Sequence, residues 1–341
     1  MTERFQRVVL NGSHSEWAEI REASLAEVTS SVVQGSVLGP VLFTIYINDL
    51  DASIKPGHGV LISKFADDTK LGMEIATIQD CQRLQASLDE LVTWSNEWGM
   101  ELHTQKSLVI HFGRKNPEFV YKINGIPLQT TESARDLGIL IRNDCDTSQH
   151  VHSIAKKAHG LLSQLKRAFS YRDSEVLPRI YKTYVRPTLE YAVQVWNPMK
   201  IGDIQALEKV QRRALRLVTD QGYMPYENKL QALGIPTLEA RRQRGDMIEV
   251  FRILNGFSFL KSDDFFTHVQ DRHEVETRSH TENHLVMEKC SLNVRKNFFS
   301  CRIVKDWNSL PPVVRESMTI NEFKNNYDEH LQALNHESIF M

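Results

Sequence analysis

A chain of 341 residues with 41% hydrophobic and 25% charged residues has an ordinary globular composition, and is long enough for one or two domains with real cores. Its net charge of -2 excludes a globally polybasic nucleic-acid binder, and its longest apolar run, residues 39–47, is far too short to span a bilayer. Cys81, Cys145, Cys290 and Cys301 sit in no paired metal-ligand spacing and no signal peptide is evident, so an intracellular location, nucleus or cytoplasm, is expected, with no disulfide partner.

In chain order, Arg7-Val8-Val9-Leu10-Asn11-Gly12 reads as a strand entering a turn, and residues 20–28 as a short helix. Gln34-Gly35-Ser36 then opens a loop where backbone can approach a ligand closely, with Pro40 suited to the first turn of a helix. The helix that follows, residues 41–50, is apolar nearly all round and is expected to be buried. A loop with free amides at a helix start can take a phosphate or nucleotide, although an ordinary turn has the same composition.

Residues 61–71 form an apolar arm, the pair Asp67-Asp68, and a second short arm. Side chains alternate along a strand, so adjacent Asp residues aim at one point only where a turn breaks the alternation. Asp is also depleted inside strands, which makes the pair the tip of a hairpin. Two hard carboxylates there suit Mg²⁺ and phosphoryl transfer, while a merely solvated turn is the simpler alternative for the pair taken alone.

Residues 77–98 pattern as an amphipathic helix with Ile78, Cys81, Leu84, Leu88, Leu91 and Trp98 on one stripe, Thr77 and Asp80 capping it, and Gly99 ending it. Residues 107–112 and 119–123 read as strands, and Asn124-Gly125 is a strong hairpin signal. From His150 the chain reads as helical, over 150–169, 174–196, 203–219, 226–233, 237–255, 294–307 and 319–334, with 258–290 a polar, His-rich loop. Pro178 and Pro187 are expected to end or kink the second of these helices. Residues 151–220 hold thirteen Lys and Arg against six Asp and Glu, a candidate phosphate-facing surface or several solvated helix faces. His280, His284 and Cys290 match no standard zinc spacing.

Taken together these stretches resemble the C-terminal half of the reverse transcriptase of a LINE-type, non-LTR retrotransposon. Gln34-Gly35-Ser36-Val37-Leu38-Gly39-Pro40 with Ile45-Tyr46-Ile47-Asn48-Asp49-Leu50 is similar to polymerase motif B, and Phe65-Ala66-Asp67-Asp68 to motif C. Lys106 falls where motif D has its lysine, and Asp136-Leu137-Gly138-Ile139 resembles motif E, the primer grip. The similarity continues through residues 181–191, 210–213, 238–242 and 307–311, along nearly the whole chain.

The resemblance implies an α+β fold: a partial right-hand polymerase palm over residues 1–145, a thumb-like helical region over 146–220 and a helical extension over 221–341. It implies an RNA-directed DNA polymerase that takes dNTP substrates, an RNA template and a DNA primer. Metal ligation by Mg²⁺ transfers to Asp67 and Asp68, the nucleotide and template pocket to Gln34, Gly35 and Ser36, and assistance to the departing pyrophosphate to Lys106. The family's third metal-binding Asp, upstream of motif B, has no counterpart, because the 33 residues before Gln34 contain Glu but no Asp. Little or no polymerase activity is therefore expected of the chain as it stands, the alternative being a non-catalytic nucleic-acid-binding remnant; its oligomeric state is left open.

Overall fold

The computed structural model describes residues 35–54, 59–220, 222–269 and 284–337, together with the strand pair β1 (Phe5–Gln6) and β2 (Ala26–Glu27). Residues 26–27 are thus extended where a helix over 20–28 was expected; the rest of that helix, and the strand expected at 7–10, lie outside the described residues. The chain divides into two units: residues 1–109 with 114–130, and residues 110–113 with 131–341. Both helix and strand are present, in keeping with an α+β class.

In the first unit, α1 (Gly39–Tyr46) carries Pro40 in its first turn and leads through Ile47–Asp49 into α2 (Leu50–Ser53). The expectation that this segment is buried all round fails for α1. Val41, Leu42 and Ile45 are exposed, and the core contacts fall on Phe43, Ile47 and Leu50. Only one side of α1 meets other described elements, so its apolar composition outruns its partners.

β3 (Leu61–Phe65) and β4 (Asp68–Gly72) form the hairpin expected around the Asp pair, with Phe65 opposite Asp68. α3 (Ile78–Glu97) has the expected capping box at Thr77 and Asp80 and ends before Gly99, whose φ is +66°. Its buried stripe differs in detail. Cys81, Leu88, Leu91 and Trp94 are inside, whereas Ile78 and Trp98 are exposed at the helix ends. Trp94 joins Ile47, Leu50, Ile54 and Leu91 in the core, against which Ile62 and Leu71 of the hairpin also pack.

The predicted strands at 107–112 and 119–123 shrink to β5 (Leu108–Val109) and β6 (Lys122–Ile123). β6 pairs with β7 (Ile126–Pro127) across Asn124-Gly125, both at positive φ, the type I′ geometry that this dipeptide favours. β8 (Gln129–Thr130) pairs parallel with β5.

The second unit begins with a hairpin, β9 (Ser133–Asp136) and β10 (Ile139–Arg142), and is otherwise helical. Ile139 enters the same core as Val151, Ala155 and Leu162 of α4 (Ser148–Ala168). The buried His150 ring accepts from the Leu140 amide at 3.2 Å; burial, reinforced by Arg135, holds its pKa down and favours the neutral ring that can accept.

α5 (Val176–Ile180) continues through a π-helical turn, Tyr181–Val185, into α6 (Arg186–Glu190). Neither proline ends the helix. Pro178 lies in the first turn, where an N–H has no intrahelical partner to lose, and the wide turn precedes Pro187, accommodating its missing donor. α7 (Val193–Trp196), α8 (Ile201–Arg216), α9 (Tyr226–Ala232) and α10 (Leu238–Leu254) follow. The expected helix at 294–307 is three short ones, α11 (Asn293–Lys296), α12 (Phe299–Arg302) and α13 (Val304–Ser309). Phe298 between the first two is extended, which turns Phe299, Ile303, Val304 and Trp307 into a second core with Phe251 and Phe323. α14 (Pro312–Arg315) and α15 (Ile320–Glu337) close the chain.

One ion pair gives a pH signature. Lys200 Nζ lies 2.7 Å from Asp146 Oδ2 and holds that carboxyl at about 2, below its ordinary 3.8. A carboxyl depressed in the folded state adds stability above its unfolded pKa and loses it as pH falls through the folded one. A Lys200→Gln chain is therefore expected to unfold at lower urea than the parent at pH 7, with the gap closing between about pH 4 and 2. Urea midpoints at several pH values check this; an unchanged gap at pH 2 contradicts it.

Candidate active site

The tip of the β3–β4 hairpin is a two-residue turn, Ala66-Asp67. Ala66 has φ +51°, a conformation that glycine takes freely and that strains a residue with a Cβ. Asp67 occupies the turn and Asp68 the first position of β4, and both are exposed at the projecting end of the hairpin. Neither is taken up in an ion pair among the described residues.

Lys64, on β3 just below the tip, ties the hairpin to the helical segment before it. Its Nζ donates to the Ile47 carbonyl at 3.0 Å and pairs with Asp51 Oδ2 at 3.0 Å. A cation against the last carbonyls of α1 is favourable both as a hydrogen bond and against the helix dipole. Trp94 Nε1 donates to Asp49 Oδ1 at 3.1 Å, so Asp49 is held inward by α3 and does not serve the tip. Tyr46 adds an aromatic layer, edge-on to Trp98 with ring centroids 5.2 Å apart, and its hydroxyl donates to the Trp98 carbonyl.

Of the residues expected to shape a nucleotide pocket, Gln34 lies outside the described residues. Gly35 sits at φ +83° in the turn before α1, and Ser36 Oγ accepts from the Gly39 amide at 3.0 Å, bracing the helix start. Lys106 is exposed on the 103–106 turn, whose Lys106 and Ser107 amides both donate to the His103 carbonyl at 3.1 Å. The structure brings Asp67 and Asp68 together, but not Lys106 into an ion pair with either.

Hard, exposed carboxylates fit Mg²⁺ in donor type. Among the described residues, however, no third acidic, histidine or cysteine side chain joins the pair within ligand distance. Residues that sequence patterning did not single out also shape the region. Trp94 and Lys64 position the tip's support. In the second unit Leu137, part of the stretch that resembles motif E, stands at φ +45° on the turn of the β9–β10 hairpin, and its carbonyl accepts from the Tyr191 hydroxyl at 3.2 Å. A leucine before Gly138 gives no local signal for a left-handed conformation.

The second unit presents a basic surface. Lys209, Arg212, Arg213 and Arg216 recur at helical spacing on α8 and are all exposed. Arg213 reaches α4, donating to Ser163 Oγ at 3.0 Å and meeting His159 Nδ1 at 3.2 Å. Lys156, Lys157, Lys166 and Arg167 stand exposed along α4.

Comparison with known proteins finds similarity over part of the chain. Residues 12–155 match the family model described as reverse transcriptase (RNA-dependent DNA polymerase). The match covers less than half of the chain, and over it the chain is similar to reverse transcriptases. The chain is 27% identical over 199 residues to the probable RNA-directed DNA polymerase from transposon X-element of Drosophila melanogaster, covering 56% of this chain and 22% of that protein. It is 25% identical over 205 residues to the probable polymerase from transposon BS of the same fly, covering 57% and 23%. To the RNA-directed DNA polymerase from mobile element jockey it is 23% identical over 232 residues, covering 65% and 25%. These alignments span only 22–25% of the relatives' lengths. Among the described residues no helix is long and apolar enough to cross a membrane.

Proposed function

We propose that the chain is the motif B to motif E portion, with the following helices, of an RNA-directed DNA polymerase of a non-LTR retrotransposon. The observation that carries this reading is the strained two-residue turn that sets Asp67 and Asp68 side by side on a hairpin anchored by Lys64 to the end of α1. Strain at an exposed tip persists where the surroundings over-determine it, and it is concentrated at functional sites.

In this reading residues 1–145 correspond to palm, 146–220 to a thumb-like region and 221–341 to a helical extension. Asp67 and Asp68 would hold Mg²⁺, which supplies charge stabilisation to phosphoryl transfer when bound. Gln34, Gly35 and Ser36 line the dNTP and template side, Lys106 serves the departing pyrophosphate, and the template is RNA with a DNA primer. A two-metal clamp needs a further shared carboxylate, and none joins the tip among the described residues. On its own the chain is therefore expected to extend primers little or not at all.

The basic faces of α4 and α8 support a second reading, in which the helical unit grips nucleic acid by its phosphates without chemistry. Both readings are tested on the full chain with a primer annealed to an RNA template. Salt-sensitive binding that Asp67→Asn leaves unchanged, with little extension, is the expected result. Vigorous extension insensitive to Asp67→Asn contradicts the role given to the tip; absence of any binding at low salt removes both readings.

A further inference from the structure

The segment between the bridge His268–Leu285 and α11 brings three soft and hard ligands to one surface point that the polymerase reading does not use. Glu288 is exposed, and Cys290 and Cys301 are half-buried, with Cys301 on α12. The Cys290 and Cys301 sulfurs are 3.8 Å apart, and Cys301 Sγ is 3.8 Å from Glu288 Oε2. The three ligand atoms all lie within 4.8 Å of one another, and they are the only such group of three or more among the described residues.

We propose that Glu288, Cys290 and Cys301 form a zinc site with a fourth position open to water. Two thiolates bound at about 2.3 Å to a tetrahedral zinc stand about 3.8 Å apart, and a carboxylate oxygen at about 2.1 Å stands about 3.6 Å from each sulfur. The sulfur–sulfur separation of 3.8 Å matches the first value, and the 3.8 Å from Cys301 Sγ to Glu288 Oε2 is close to the second. A disulfide would instead require the sulfurs to close to about 2.05 Å.

Arg295 donates to Glu288 Oε2 at 2.8 Å and stacks over the Phe298 ring, 5.4 Å from its centroid. A hydrogen bond onto a ligating carboxylate fixes its orientation, and the oxygen that Arg295 holds is the one that faces Cys301 Sγ. The site would add a tie between the 284–292 segment and α12, beside the core that Leu285 shares with Phe299. His284 is not part of the group.

The test uses the full chain, reduced, with Zn²⁺ and with Co²⁺ as a spectroscopic substitute. One equivalent of Co²⁺ is expected to give a thiolate-to-cobalt charge-transfer band that Zn²⁺ bleaches, and Cys290→Ser or Cys301→Ser to weaken binding at least about tenfold. Because a variant can misfold, the parent chain is also alkylated with and without Zn²⁺ and the labelled cysteines located by peptide mass. Zinc protection of Cys290 and Cys301, with exposed Cys145 still labelled, supports the site. Absence of the band, protection of other cysteines, or conversion of the pair to a disulfide by oxidised glutathione in place of metal binding overturns it.

Discussion

Replacing Lys209, Arg212 and Arg216 together by Gln is expected to lower affinity for a primer–template duplex by about two to three orders of magnitude near 0.1 M salt. Each of these side chains is exposed, and together they follow the i, i+3, i+7 spacing of one α8 face. Phosphate contacts act chiefly through release of condensed counterions, so each lost contact lowers the slope of log affinity against log salt by about one. The triple change should therefore flatten that slope by about three, with no change of sequence preference. Arg213 is left in place because it links α8 to Ser163 and His159 of α4, and its loss would mix binding with stability. Fluorescence anisotropy from low to moderate salt reads both quantities. An unchanged slope would mean that this face is solvated and that the grip lies elsewhere.

Asp246→Ala is expected to cost the second unit about 3–5 kcal/mol, measured as a lower midpoint in chemical denaturation. Asp246, on α10, is buried, and Arg302 of α12 meets it with two parallel hydrogen bonds, Nη2 to Oδ1 at 2.9 Å and Nε to Oδ2 at 3.0 Å. Asn197 adds a third at 3.2 Å, and its own carbonyl accepts from Arg242 Nε at 3.0 Å. Burial pushes the Asp246 carboxyl up, and Arg302 opposes this in part. A raised carboxyl means that this group's contribution is greatest at low pH and declines as pH rises through its folded pKa. The pair is thus weak as a net source of stability, yet removing one partner strands the other charge in the interior. The double change Asp246→Leu with Arg302→Met should accordingly cost less than the sum of the two single changes. Strict additivity would show that the pair is not coupled.

Much of the fold was legible because local chemistry and tertiary structure agree. Asp67-Asp68 between apolar arms, Asn124-Gly125, and Thr77 with Asp80 each specify a turn or cap from a few neighbouring residues, and each forms as expected. The misses are questions of partners. Apolar content placed α1 wholly inside, but burial depends on what covers a helix, and among the described residues the core meets α1 on its Phe43 side. Trp94 rather than Trp98 is the core tryptophan because α3 ends at Glu97, leaving Trp98 at the cap. Pro187 read as an end or a kink, and the π turn before it, which absorbs the missing donor, has no sequence marker of its own.

The site divides in the same way. Asp67 and Asp68 could be found because adjacent acids in a strand context are unusual. Lys64, which fastens the hairpin to the carbonyl of Ile47, was invisible, because a strand lysine normally reads as a solvated charge. The Glu288, Cys290 and Cys301 group was hidden by the ten residues that separate its cysteines, a stretch interrupted by the extended Phe298.

The most direct measurement is primer extension on an RNA template by a jockey-type polymerase whose matching segment is replaced by residues 34–341 of this chain. The upstream part of the host would supply the carboxylate that the tip lacks. The account predicts Mg²⁺-dependent extension that Asp67→Asn or Asp68→Asn reduces by orders of magnitude, with primer–template binding intact. A chimera that binds primer–template but does not extend it, or that extends it equally well with either Asp replaced, would contradict the assignment of this hairpin as the metal-holding tip of a reverse transcriptase.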